Sequence, residues 1–188
     1  MIPIIRPTLR EISEVVNRKS DVPKVEGLHP ETAWRCLSHV REALAAGVLF
    51  GIAQGVRSAA QQAVEYAKGR DAQGAVVDRR KVVTWARPGY SFHQYGLAYD
   101  VVLLRPHADA GAPYEVEWNP FADLDKDGVR DYLEIGLAGE RVGLEWGGRW
   151  VGKYDGPHFE FTPNLPIEVA VGRFPGFKVP DDYFERAA

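Results

Sequence analysis

The stretch Ser91-Phe92-His93-Gln94-Tyr95-Gly96-Leu97-Ala98-Tyr99-Asp100-Val101-Val102-Leu103-Leu104 decides how this chain is read. Ala98 to Leu104 is apolar and β-branched near its centre, which predicts a strand. Side chains alternate along a strand, so Asp100 shares a face with Ala98 and Val102. His93 lies just before the strand, and Gly96 lets the chain turn so that His93 and Asp100 converge. Downstream, Asp155-Gly156-Pro157-His158 opens a second strand, His158 to Phe161. Two histidines and a carboxylate are a usual catalytic zinc set, with the fourth position left for water. Asp155 stands three residues before His158, an offset that would give opposite faces on a straight strand. Gly156-Pro157 breaks that regularity and lets Asp155 swing to the side of His158. Glu160 shares the face of His158 and suits a partner that orients its ring.

Outward from this centre, the chain reads as one α+β domain spanning 1–188: N-terminal helices packed on a small, mostly antiparallel sheet that carries the zinc site. Its 188 residues, 45% hydrophobic and 26% charged, suit one globular core. With 23 Lys+Arg against 26 Asp+Glu the net charge is −3, which argues against a nucleic-acid binder. The single cysteine, Cys36, excludes a disulfide framework and a Cys-rich zinc finger. No apolar run approaches the roughly 20 residues of a membrane span. The start Met1-Ile2-Pro3-Ile4-Ile5-Arg6 is not a secretory leader, so synthesis in a cytoplasm is expected.

Thr8-Leu9-Arg10-Glu11 reads as a capping box for a first helix carrying Leu9, Ile12, Val15 and Val16. His29-Pro30 opens a second helix that Gly47 ends, Val48 to Ala53 suits a buried strand, and Ser58 caps a helix to about Lys68. Gly69 to Tyr90 reads as a polar loop around a short strand, Val82-Val83-Thr84. Arg105 to Asp131 shows no regular pattern, Tyr132 to Val142 is helical, and residues 163–188 form a tail. Cys36 and His39, three apart on a helix, read as core rather than metal ligands, and His107 as a loop residue.

Ser91-x-His93-x-x-Gly96-x-Ala98-x-Asp100 with Asp155-x-x-His158 resembles the signature of the M15 zinc peptidases. That family includes D-alanyl-D-alanine carboxypeptidases, D,D-dipeptidases and phage L-alanyl-D-glutamate endolysins. Leu28-His29-Pro30, Gly55-Val56-Arg57-Ser58 and Glu145-Trp146-Gly147-Gly148 extend the likeness, so that it covers residues 27–161. The resemblance implies zinc on His93, Asp100 and His158, Asp155 as catalytic base and Arg57 as carbonyl stabiliser. Glu145 is the rival base. Ser91 and Trp146 are expected to touch substrate, although Trp146 and Trp150 read equally well as core. Gln54, Val56 and Tyr99 depart from the family pattern at positions expected to line the pocket.

A second motif is independent of the first. Asp123-Leu124-Asp125-Lys126-Asp127-Gly128-Val129-Arg130-Asp131-Tyr132-Leu133-Glu134 fits the EF-hand loop, with ligands expected from Asp123, Asp125, Asp127, the Val129 carbonyl, Asp131 and Glu134. Arg130 stands where an apolar residue is usual, which favours an isolated calcium loop over a paired EF-hand. Five carboxylates in twelve residues repel one another unless a cation sits among them.

The function expected is zinc-dependent cleavage of the peptidoglycan stem peptide, at the L-Ala-D-Glu bond, by a monomeric, calcium-regulated, phage-type endolysin that reaches the wall after release through the membrane. The alternatives are a D-Ala-D-Ala carboxypeptidase or dipeptidase, and a calcium-dependent wall-binding module with a structural zinc. Neither nucleic acid nor stable membrane insertion is expected.

Overall fold

In the computed structural model the residues described are 25, 27–106, 114–162 and 166. The expected helix after Thr8, the His107 loop reading and the tail from 163 (Pro166 apart) lie outside them. Helix α1 spans Pro30–Ala45. It starts where the sequence announces it: His29 accepts the Glu31 N–H through Nδ1 at 3.2 Å, and Pro30 occupies the first turn. Strand β1 is Phe50–Gln54 and helix α2 is Ala59–Ala67, held by a complete Ser58/Gln61 capping box. A 3₁₀ turn, Phe92–Tyr95, leads through left-handed Gly96 (φ +66°) into β2, Ala98–Pro106. Then follow β3 (Tyr114–Glu117), α3 (Asp131–Arg141), β4 (Glu145–Trp146) and β5 (His158–Glu160).

The five strands form one sheet in the order β1-β2-β5-β4, with β3 also on β2, and every pairing is antiparallel. Alternation along β2 turns Tyr99, Val101 and Leu103 into the core with Phe50, Ile52 and Phe159, where α1 and α3 cover them. Asp100 and Val102 therefore face the other way. Gly136 and Gly139 on α3 let the helix close on the sheet, since a Cβ at Gly139 would stand 2.6 Å from the Phe159 ring. Among the described residues no helix is long and apolar enough to cross a membrane.

Cys36 and His39 belong to the core, as expected. His39 is fully buried and joins three elements: its Nε2 donates to the Ile135 carbonyl on α3 at 2.7 Å, and its Nδ1 accepts from the Tyr99 hydroxyl on β2 at 2.8 Å. Burial pushes its pKa down to about 3, so the ring is neutral. Tyr99 and Val56 therefore serve the core, which corrects the expectation that they line the pocket.

Three local expectations differ. Val82-Val83-Thr84 is not a strand, because its backbone is claimed elsewhere: Val82 N–H bonds to Arg79 O, and Thr84 O accepts from Arg70 Nη2. The stretch Arg105 to Asp131 does contain a strand, β3, whose exposed Val116 and Glu115 give no apolar alternation to read. Strand β4, only two residues long, was not anticipated either.

Candidate metal centre

The strand ends bring the three expected ligands together. Asp100 stands opposite Gln54 on one side and His158 on the other, so both β2 and β5 deliver a side chain at the same level of the sheet. The turn ending at Gly96 returns His93 to that level, with its ring centroid 5.2 Å from that of His158. Ligand atoms of His93, Asp100 and His158 all lie within 4.8 Å of one another.

Hydrogen bonding fixes which atoms converge. His93 Nδ1 donates to the Gly55 carbonyl at 2.8 Å, which leaves Nε2 bare and 3.3 Å from Asp100 Oδ1. His158 Nε2 stands 3.0 Å from Glu160 Oε2, and its Nδ1 stands 3.0 Å from Asp100 Oδ1. With Nε2–H given to Glu160, Nδ1 is a second bare nitrogen. Two lone pairs and a carboxylate oxygen thus lie within reach of one another, a donor set that fits zinc. Without a cation, protons take its place. Burial works against the charged form of His158, but its bonds to Asp100 and Glu160 outweigh that and push it up to about 10. Burial likewise opposes the Asp100 carboxylate, and the two histidines hold it far below the usual carboxylate range.

Two further groups lie near this spot. The Arg57 backbone N–H bonds to the His93 carbonyl at 3.2 Å, and its guanidinium Nη2 lies 3.6 Å from Asp100 Oδ2. Asp155 is folded back by the turn at Gly156-Pro157: its carbonyl accepts from the His158 N–H at 3.2 Å, and its own N–H bonds to Gly147 O at 3.1 Å. Gly147 is required by this approach, since a Cβ there would stand 2.6 Å from Asp155 O and 3.1 Å from the Cβ atoms of Asp155 and His158. Burial raises the Asp155 pKa, opposed by the charge of His158. A carboxyl that holds a proton more readily than usual, beside a permanently charged guanidinium, suits proton transfer next to a polarised carbonyl.

Glu160 stands where expected, against His158. Ser91 is buried at the head of the turn that carries His93. Trp146 corrects its assignment as a substrate contact: it is 4% exposed, lies under α3 against Gly136, and donates to Gly156 O at 2.8 Å. Trp150 occupies the site side instead. Its ring lies 4.9 Å from the His158 ring, and its Nε1 donates to Glu145 Oε1 at 3.0 Å. That bond ties Glu145, the rival base, to Trp150, and its strand position lies opposite Glu160. Gln62 escaped the sequence reading. It is fully buried, accepts from Arg57 Nη1 at 2.8 Å and donates to Ala86 O at 2.7 Å. Its spacing of five residues from Arg57 on an otherwise exposed helix gave no apolar or charge signal.

The acidic loop folds independently of this centre. Asp123, Asp125 and Asp127 bring carboxylate oxygens within 4.8 Å of one another, as do Asp125, Asp131 and Glu134. Gly128, at φ +91°, makes the turn and donates to Asp123 Oδ2 at 3.1 Å; the Val129 N–H, from the residue expected to offer its carbonyl, donates to Asp127 Oδ1 at 2.7 Å. Among the described residues the loop follows β3 and leads into α3, so it is not flanked by two helices as in an EF-hand. Burial first, then the neighbouring aspartates, pushes Glu134 up to about 7.

An M15 peptidase family model described as D-alanyl-D-alanine carboxypeptidase matches residues 85–161. The peptidoglycan L-alanyl-D-glutamate endopeptidase CwlK of Bacillus subtilis (strain 168) is 32% identical over 148 residues, 79% of this chain and 81% of CwlK. Among solved structures, the L-Ala D-Glu endopeptidase ChiX of Serratia marcescens is 25% identical, with a TM-score of 0.43, covering 82% of this chain and 96% of its own. The vancomycin resistance D,D-pentapeptidase VanY, solved with Zn(II), is 19% identical, with a TM-score of 0.44, covering 84% and 83%.

Proposed function

Because this chain belongs to the M15 peptidase family, we propose that it is a zinc-dependent peptidoglycan peptidase that cuts the stem peptide between L-Ala and D-Glu. The observation that carries the reading is the convergence of His93 Nε2, Asp100 Oδ1 and His158 Nδ1 on one point, with the Arg57 guanidinium 3.6 Å from Asp100. The bond assignment leans on the likeness to CwlK. His93, Asp100 and His158 would hold the metal, which when bound would supply Lewis acidity and make water easier to deprotonate near neutral pH. Asp155 takes the proton of the attacking water and returns it to the leaving amine. Arg57 faces the carbonyl oxygen as charge develops on it. Glu160 keeps His158 in the tautomer that leaves Nδ1 free.

The test is mass spectrometry of purified peptidoglycan after digestion. New L-Ala C-termini and D-Glu N-termini are expected, with glycan strands intact. Free D-alanine would assign the chain to D,D-cleavage instead, and new reducing ends would overturn both.

The Asp123–Glu134 loop supports a second, separate reading: a calcium site formed by Asp123, Asp125, Asp127, the Val129 carbonyl, Asp131 and Glu134. The convergence of its carboxylates favours it. Calorimetric titration of calcium into the wild type and into Asp125→Ala/Asp127→Ala decides it; no heat in the wild type removes the site.

A further inference from the structure

Residues 68–90 leave the compact part of the chain as an arm between α2 and the His93 turn, and nothing above assigns them a role. The arm is folded. Arg70 and Val76 form an antiparallel bridge, and the N–H groups of Val77 and Asp78 both bond to Gly69 O, at 2.9 and 3.1 Å. Gly69, at φ +73°, is the neck, where a Cβ would stand 2.5 Å from Asp78 O. Arg70 holds the arm together. Its guanidinium lies 4.0 Å from the Tyr66 ring centroid and 5.3 Å from that of Trp85, and its Nη2 donates to Thr84 O at 3.0 Å.

This arrangement leaves an exposed aromatic in a fixed pose. Trp85 is 53% exposed and Tyr90 60%, a display that the core does not need. Arg79 lies 5.8 Å from the Trp85 ring on the same patch. The charge is one-sided: Lys68, Arg70, Arg79, Arg80, Lys81 and Arg87 stand against only Asp71 and Asp78, in a chain whose net charge is −3. Both acids are occupied. Asp71 accepts the Gln73 and Ala75 N–H groups, and Asp78 accepts from Arg80 and lies 3.6 Å from Lys81 Nζ. The side chains of Arg80 and Lys81 remain 92% and 76% exposed. The arm also touches the reaction centre, since Ala86 O is held by Gln62, which holds Arg57.

We propose that this arm is a docking surface for the glycan strand of peptidoglycan, with Trp85 stacked on a sugar ring and Arg79, Arg80 and Lys81 on the carboxylates of neighbouring stem peptides. The proposal rests on peptidoglycan being the substrate. An acidic chain approaching a polyanionic wall is repelled on average, so its approach needs a local cationic face. A preset aromatic plane adds a contact that salt does not screen.

The experiment measures pelleting of the full-length protein with purified wall sacculi stripped of phosphate polymers, at low salt and at about 0.5 M salt. A parallel arm follows hydrolysis of a soluble stem peptide without glycan. Arg79→Ser/Arg80→Ser/Lys81→Ser should weaken sacculus binding about tenfold at low salt and leave little difference at high salt. Trp85→Ala should weaken it at both. Turnover of the soluble peptide should be unchanged in the triple variant. Wild-type binding in both variants overturns the proposal, as does binding that disappears when phosphate polymers are removed, or tighter binding to duplex DNA than to sacculi. Because pelleting needs no catalysis, failure to cut the sacculi with sacculus binding intact would overturn the function reading and leave the docking surface standing.

Discussion

Gln62→Met tests whether Arg57 is positioned by its neighbour or merely lies near it. Methionine matches the length of glutamine but removes both of its polar contacts, the 2.8 Å bond from Arg57 Nη1 and the 2.7 Å bond to Ala86 O. Gln62 is fully buried and Arg57 nearly so, which leaves the Arg57 side without water to replace its partner, while Ala86 is half-buried. A buried polar group left unpaired costs about 1–3 kcal/mol, and a charged one more. The two together should cost about 3–5 kcal/mol, and for a chain of this size each kcal/mol lowers Tm by roughly 2–4 °C. A fall of roughly 10 °C is expected in a circular-dichroism melt. Arg57 would keep only its 3.6 Å approach to Asp100, and kcat on a soluble stem peptide should drop about 10- to 100-fold with zinc content unchanged. Gln62→Glu separates the two effects. Its carboxylate still pairs with Arg57 but repels Ala86 O, so kcat should recover while Tm stays low. A Gln62→Met protein with wild-type kcat and Tm would refute the positioning role, and equal kcat losses in both variants would show that Arg57 placement is not the cause.

Gly147→Ala should lower zinc affinity by at least about tenfold with the helices intact, because its methyl group displaces Asp155 and His158 together; metal analysis after dialysis against a graded chelator reads this, and normal retention contradicts it. Asp155→Asn should keep zinc and lose about 10²-fold or more in kcat, whereas Glu145→Gln should stay within about threefold of wild type. A base works only when ionised, so wild-type activity should fall as pH drops through a pKa above the ordinary aspartate value, since burial raises it. In the acidic loop, burial and the surrounding aspartates raise Glu134 to about 7 from 4.5, so the fold favours its protonated form. Its stabilising effect is complete below pH 4.5 and is lost as pH rises through about 7, on the order of 1–2 kcal/mol after solvent screening. Calcium should restore that loss, so the Tm gain on adding calcium should grow from about pH 5 to about pH 8; a pH-independent gain, or none, counts against the site.

Much of the site was legible because its chemistry is local in sequence. Gly96 before Asp100, Gly156-Pro157 before His158, the His29-Pro30 helix start and the Ser58/Gln61 capping box are short-range devices. Each is written in residues that few other conformations would use. The period of two then placed Asp100 on the face away from Tyr99, and Glu160 on the face of His158.

What lay beyond reach was whatever depends on which elements meet. Trp146 and Trp150 are alike in sequence, one on each side of the Gly147-Gly148-Arg149 turn. Only the register of β4 on β5, with Trp146 opposite Phe159, turns the first into the core and leaves the second to lie against His158. Tyr99 reads as an altered pocket residue in the sequence, but His39, itself held by Ile135 O from a helix far along the chain, gives its hydroxyl a buried polar partner. Gln62 gained its place because Ala86, twenty-four positions away, closes over it. The sequence alone thus determined the ligand set, the turns that aim it and the acidic loop, since these follow from backbone rules acting over a few residues. The tertiary structure decided which aromatic lies against His158, which amide holds Arg57 and which tyrosine is core. Burial and hydrogen-bond partnership are set by elements that pack together across the fold, and no local pattern records which ones will meet.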